Sequence, residues 1–272
     1  MSGFQAVVKD QLNLCISPLF EATGLVTHCF TTRGGGGSTG PYASLNTAFH
    51  VGDRADCVRE NRSLICRALG IEPGKIVAGS QVHGDRVAVV DAGSQGRGAL
   101  TYEDSLPGVD ALVTAVPGLP LASFYADCVP IFLLDPVSRV VALAHAGWKG
   151  TVAKIGLKTV QKMTAVFGTN PKDCLAAIGP SIGFCCYEID QEVFGQVKGS
   201  ISYWTDLVVP VRPGKWHLDL WQANRRTLAD AGLLNSNIDL AGLCTSCRTD
   251  LFFSYRAQGG TAGRMASLIM LK

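Results

Sequence analysis

Charge is scarce in this chain. Only 17% of the 272 residues are Asp, Glu, Lys or Arg, and 24 basic against 22 acidic residues leave a formal net charge of +2. A balance so near zero gives no electrostatic case for nucleic acid or an anionic membrane, although a few local Arg and Lys can still hold a small anion. Long apolar runs are missing too. The longest apolar-rich stretch free of charge, residues 111–126, has 16 residues and is broken by Pro117 and Pro120. A spanning helix needs about 20, so this stretch reads as buried strands and turns. The opening MSGFQAVVKDQLN has no apolar run of signal-peptide length. Ten irregularly spaced cysteines fall short of a disulfide scaffold, which takes more than roughly 8–10% of a short chain. They read as free thiols in a reducing compartment, so a cytoplasmic location is expected. No repeat or Pro/Ser-rich linker divides the chain, and its one glycine run, residues 34–37, is too short to separate domains. One domain over residues 1–272 is expected, with 47% apolar residues to fill its core, which excludes a disordered chain.

Strands are predicted at 25–32, 87–90, 121–125, 130–134, 140–145, 175–178 and 251–254, several of them near-continuous apolar runs that suit strands covered on both faces. Helices interleave with them. Residues 56–69 carry Val58, Leu64, Ile65 and Leu69 on one side, with Gly70 to stop the helix. Residues 151–167 carry Val152, Ile155, Met163 and Val166 at helical spacing, followed by Gly168. Asp219 with Gln222 resembles a capping box ahead of a helix at 221–231. The alternation predicts an α/β class with a mixed, buried sheet flanked by helices.

Three short segments interrupt the apolar pattern with reactive side chains: SQVHG at 80–84, YADCVP at 125–130 and AHAGWKG at 144–150. Each sits at or beside a predicted strand end. Two imidazoles and one thiolate, from His83, His145 and Cys128, match a zinc site whose fourth position stays open for catalysis. The spacing is non-local. A Cys in an apolar strand can equally be an inert core residue and a His beside Gly a turn residue.

QVHG, ADCVP and HAGWKGT, in this order, resemble the defining motifs of the YfiH/laccase-domain family, also called the polyphenol oxidase family or DUF152. TTRGG at 31–35, SLN at 44–46, HVGD at 50–53, ENR at 60–62, DALVT at 110–114, IGPSIG at 178–183, YEI at 187–189, LDL at 218–220, FFSYR at 252–256 and GR at 263–264 extend the resemblance from about residue 25 to the C-terminus. It implies a single layered α/β domain, cysteine-hydrolase-like in its layering, and zinc on His83, Cys128 and His145. Many relatives carry HAGWRG where this chain has Lys149, which keeps the charge but loses the bidentate fork.

The family name implies a laccase. Better-supported members resemble purine nucleoside enzymes that split adenosine, inosine or methylthioadenosine with phosphate and deaminate adenosine, and some are linked to editing of cell-wall precursors. A multicopper centre needs about ten histidines; this chain has five and no His-x-His pair. Copper remains an adventitious or alternative metal for the zinc ligands. Deamination needs a metal-activated water and a proton shuttle. Asp127 is the candidate shuttle, or a contact to a His ligand, or a structural Asp bonding turn amides. The usual deaminase signature, His-x-Glu with Pro-Cys-x-x-Cys, is absent. For phosphorolysis, Arg33 in TTRGG, Arg62 on its helix and Lys149 at a helix start are candidate anion contacts, and Asn46 a candidate for ribose or base. A solvated helix face for Arg62 and a flexible hairpin loop for Gly34–Gly37 stand beside these. A cysteine hydrolase, with Cys128 as nucleophile and His83 or His145 as base, is the competing enzyme reading. A non-catalytic sensing module is the third, and an open metal position argues against it. Cys244 and Cys247 read as two unpaired thiols, the adjacent Cys185 and Cys186 as structural residues, and the assembly as monomer or homodimer.

Overall fold

The computed structural model describes residues 3–272. Every residue of VPIFLLD (Val129–Asp135) and of VVALAHA (Val140–Ala146) is buried, so both are central strands covered on two faces. They pair antiparallel within a six-stranded sheet. Its order is Ile238–Leu240, Leu175–Ile178, Val129–Asp135, Val140–Ala146, Ala111–Thr114, Val87–Val89. A seven-stranded sheet has the order Gln5–Lys9, Leu12–Ile16, Val26–Thr31, Met265–Leu271, Leu121–Tyr125, Val77–Ser80, Leu106–Pro107. Both sheets mix parallel and antiparallel pairs. A third, small sheet joins Glu188–Ile189, Lys215–Leu218 and Val208–Arg212.

Side-chain alternation along the strands sets the layers. Ile131, Leu133, Ala142 and Ala144 turn to one side and meet Ile155, Val160 and Met163 of the helix Ile155–Phe167 and Leu228 of the helix Leu220–Asp230. Phe132, Leu134, Val141 and Leu143 turn to the other and meet Phe30, Leu121, Tyr125 and Ile269 of the seven-stranded sheet. The far face of that sheet, with Leu14, Cys29, Ala122 and Leu268, is covered by Ile65 and Leu69 of the helix Ala55–Leu69. The order is therefore helix, sheet, sheet, helix. Each large apolar side chain so buried contributes roughly 1.5–3 kcal/mol.

The α/β class with mixed, helix-flanked sheets holds, the strands being shared among three sheets. Six of the seven predicted strands form, as Val26–Thr31, Val87–Val89, Leu121–Tyr125, Val129–Asp135, Val140–Ala146 and Leu175–Ile178. The seventh, 251–254, does not. Phe252 and Phe253 are fully buried there, but the backbone turns: the Phe252 amide donates to the Arg248 carbonyl and the Phe253 amide meets the Met265 sulfur. Apolar content alone does not distinguish a buried turn from a strand. The helix expected at 151–167 is two helices, Trp148–Val152 and Ile155–Phe167, broken where Lys154 adopts φ 59° and ψ 45°. The apolar spacing runs through the break and so hides it, while Val166, placed on the apolar face, is half exposed. Asp219 caps its helix as expected, accepting from the Gln222 amide. Among the described residues no helix is long and apolar enough to cross a membrane.

Candidate functional site

Strand ends deliver the reactive side chains. His83 follows the strand Val77–Ser80 in a tight turn, with φ 60°. Asp127 and Cys128 lie where the chain passes from Leu121–Tyr125 in one sheet to Val129–Asp135 in the other, and Asp127 adopts φ 85°. His145 is opposite Pro130 in the antiparallel register, which places it beside Cys128. The donor atoms of His83, Cys128 and His145 all lie within 4.8 Å of one another, and the imidazole centroids are 4.9 Å apart. Gly147 makes this approach possible: a Cβ there would lie 3.0 Å from His83 Cδ2 and 3.1 Å from Cys128 Sγ.

Asp110 organises the cluster. It precedes the strand Ala111–Thr114, whose pairing with Val140–Ala146 brings it beside His145. Its Oδ1 takes the His83 amide at 3.0 Å and meets His145 Nδ1 at 2.9 Å; its Oδ2 takes the amides of Val82 at 3.2 Å and Gly84 at 2.8 Å. One carboxylate thus fixes the turn bearing the first imidazole and the ring of the second, leaving Nε2 of His145 to face Cys128. Burial works against the charged carboxylate, but the His145 hydrogen bond and charge and the turn amides outweigh it and hold Asp110 below the usual carboxylate range. Burial would likewise raise the Cys128 thiol; the charge and hydrogen bond of His145, with the hydrogen bond of His83, bring it down to about 6.

The donor set and spacing fit a metal ion. Tetrahedral zinc with bonds of about 2.0–2.3 Å asks for donors roughly 3.3–3.8 Å apart, a small contraction from the observed limit. The three residues lie on the wall of a cavity of about 580 Å³, a size suited to a small organic ligand. Phe124, Trp148, Tyr187 and Tyr255 give it aromatic surface, and Arg256 and Arg264 give it positive charge. Gln81 fixes Phe124 by bonding both its amide, at 2.8 Å, and its carbonyl, at 2.9 Å. Arg264 Nη1 donates to the carbonyls of Ala262 and Gly263, while its Nε and Nη2 have no protein partner among the described residues. Arg256 instead commits both terminal nitrogens to the carbonyls of Cys186 and Glu188. His50 also lines the cavity; burial, with the charges of Arg264 and Arg62, lowers its pKa to about 4.

The other expected site residues stand as follows. Asp127 lines the cavity, with one oxygen accepting from the Thr245 hydroxyl and the other from the Arg256 amide, each at 2.7 Å. The imidazole-orienting carboxylate is Asp110. Arg33 bonds the carbonyls of Ala43 and Thr249 and stacks over Phe253, away from the cavity wall. Asn46 is fully buried, its Oδ1 accepting from the Arg264 amide, so it supports the cavity from behind. Arg62 is not a solvated helix residue: it is buried between Phe49 and Phe124, 4.3 Å from each ring, and donates to the carbonyls of Thr47, Gly98 and Ala99. Lys149 lies over Trp148, one residue removed from the wall. Asp110, His50, Gln81, Tyr187 and Arg264 were not singled out as site residues by their sequence surroundings, although DALVT, HVGD, QVHG, YEI and GR each carry one. Of the remaining histidines, His28 is in the core, accepting from the Ser17 amide, and His217 packs on Phe184.

The chain is 40% identical over 244 residues to the purine nucleoside phosphorylase YlmD of Bacillus subtilis, covering 89% of this chain and 87% of that protein. It is 38% identical over 235 residues to adenosine deaminase RL5 from an unknown prokaryotic organism, covering 86% and 89%. The crystal structure of YlmD from Geobacillus stearothermophilus superposes with a TM-score of 0.94 at 38% identity over the full length of both chains. A family model described as multi-copper polyphenol oxidoreductase laccase matches residues 27–272. With that match over nearly its whole length, and with the fold of YlmD, the chain belongs to this YfiH/laccase-domain family.

Proposed function

We propose that this protein is a zinc-dependent purine nucleoside phosphorylase that converts adenosine, inosine or methylthioadenosine and phosphate to base and sugar 1-phosphate, and that the same site deaminates adenosine. The observation that carries this reading is the cluster of two imidazoles and a thiol on the wall of a 580 Å³ cavity that also presents flat aromatic rings and guanidinium groups. The names of similar proteins, a purine nucleoside phosphorylase and an adenosine deaminase, support it.

Zinc held by His83, Cys128 and His145 would supply a Lewis acid with an open coordination position. Asp110 holds His145 in the tautomer that leaves Nε2 free as a ligand. The rings of Phe124, Trp148 and Tyr187 suit a planar purine, excluding water from its faces. Arg264, with unspent N–H groups, is the proposed phosphate contact. His50, neutral at pH 7, can exchange hydrogen bonds with sugar hydroxyls. Asp127 holds Thr245 and the Arg256 amide in the wall, and its remaining lone pairs are available for proton transfer. The test is chromatography of products from the three nucleosides with and without phosphate. Base release that requires phosphate supports the reading; no phosphate-dependent turnover of any of them overturns it.

One observation favours a second reading. Cys128, with its thiol lowered to about 6, faces His145, whose other nitrogen is 2.9 Å from Asp110. That is the order of nucleophile, base and orienting acid in a cysteine hydrolase. Chelation separates the two, since the zinc enzyme loses activity with its metal and the hydrolase gains it.

A further inference from the structure

A second group of sulfurs lies outside this cavity. Cys185 and Cys186 occupy the turn before the short strand Glu188–Ile189, and Cys244 and Cys247 the loop after Ile238–Leu240. Their sequence surroundings suggest a structural pair and two unpaired thiols. The fold brings all four together, with every Sγ within 4.8 Å of the others. Cys247 Sγ is 3.4 Å from both Cys185 Sγ and Cys186 Sγ. None of the four is in a disulfide.

We propose that Cys185, Cys186, Cys244 and Cys247 form a tetrathiolate site for a thiophilic divalent cation, zinc, separate from the His–Cys–His cluster. Four thiolates around zinc at about 2.3 Å lie roughly 3.8 Å apart, close to the two 3.4 Å separations and inside the 4.8 Å limit that all the pairs meet. A disulfide asks for about 2.05 Å between two sulfurs and would leave the other two without a role. The Gly183 amide donates to Cys244 Sγ at 3.2 Å, a bond that favours the thiolate a metal requires. Two ligands come from a C-x-x-C turn, a pattern shared with structural zinc sites, and two from adjacent residues on a facing turn.

Four protein ligands close the coordination shell, so the site is structural. Its place in the fold shows what it would stabilise. The 244–247 loop also carries Thr245, which bonds Asp127, and the Cys186 carbonyl takes the Arg256 guanidinium. The ion would therefore clamp the turn before Tyr187 to the loop whose Thr245 holds Asp127, and both Tyr187 and Asp127 line the cavity. This inference does not rest on the proposed reaction.

The test uses full-length Cys128→Ser protein, in which the other cluster has lost its sulfur donor, purified anaerobically under reducing conditions with zinc. One zinc per chain should survive dialysis, and X-ray absorption should show only sulfur neighbours. Substituted cobalt should give thiolate charge-transfer and tetrahedral d–d bands. Adding Cys185→Ser and Cys247→Ser, both exposed positions, should abolish binding. If these variants fold poorly, the chain with Cys128 intact serves: it should hold one more zinc than the single variant Cys247→Ser. The proposal is overturned if Cys128→Ser holds no zinc, if its zinc survives loss of Cys185 and Cys247, if the shell contains nitrogen or oxygen, if a disulfide joins these cysteines in the reduced, zinc-treated protein, or if Cys247→Ser has the zinc content of the wild-type chain.

Discussion

Replacing Asp110 by Asn should unseat both imidazoles without changing the size of the side chain. The carboxylate accepts on two sides, from the His83 amide and His145 Nδ1 on Oδ1, and from the Val82 and Gly84 amides on Oδ2. An amide has one oxygen, so its NH₂ must confront donors on one side or the other. Turned toward Oδ2's partners, it pushes away the turn that carries His83. Turned toward Oδ1's partners, it confronts the His83 amide and is accepted by His145 only if that imidazole moves its proton to Nε2, and a protonated Nε2 cannot ligate a metal. Losing a hydrogen bond to a charged acceptor costs about 1.5–3 kcal/mol. Altering a residue behind a metal-ligating His costs about 10–100-fold in affinity, and at about 1.4 kcal/mol per tenfold the two ranges coincide. Zinc affinity is therefore expected to fall about 10–100-fold, with activity falling alongside at limiting zinc and partly recovering in excess. Competition against a chelating dye measures the affinity, and turnover at limiting and saturating zinc measures the consequence. A folded Asp110→Asn protein with wild-type zinc affinity and turnover would refute the reasoning.

Gly147→Ala should empty the cluster while leaving the fold intact: the new methyl would crowd His83 and Cys128, yet φ −66° at this position suits any residue. Metal content and activity should both drop while the melting temperature, measured without added metal, stays close to wild type. Arg264→Gln should raise the KM for phosphate about 10-fold or more, the cost of one charge-assisted hydrogen bond, and change adenosine deamination much less; equal effects on both reactions would argue against Arg264 as the phosphate contact. His28 predicts acid sensitivity. Burial lowers its pKa from 6.5 to about 4, so between those values the unfolded chain takes up a proton that the folded chain refuses. Its effect is absent above pH 6.5 and grows as pH falls to about 4, reaching about 3 kcal/mol of lost stability at about 1.36 kcal/mol per unit. Urea unfolding above and below this window should show that slope flattened in His28→Gln, which keeps an acceptor for the Ser17 amide; an unchanged slope would assign the acid sensitivity elsewhere.

Much of this molecule is legible one segment at a time. Val129–Asp135 and Val140–Ala146 announce themselves as central strands because each residue must be apolar when both faces are covered. His83, Cys128 and His145 stand out because reactive side chains at the ends of such runs interrupt an otherwise apolar pattern. The helix at Ala55–Leu69 is visible in its spacing and in Gly70, which ends it at φ 66°. Arg62 shows where that kind of reading stops. Its own helix suggests a solvated or anion-binding cation; Phe49 and Phe124, from elsewhere in the chain, enclose it and use its charge to hold three carbonyls.

By itself, the amino-acid pattern determined the class of fold, the apolar strands and the chemical types at the centre. Only the tertiary structure decided that Asp110 serves both imidazoles, that Arg264 rather than Arg33 lines the cavity, and that four scattered cysteines share one place. The physical reason is that local pattern specifies which face of its own strand or helix a side chain occupies. Which distant atoms then share that space is set by strand register and by the crossings between the two sheets, and these depend on the packing of the whole chain.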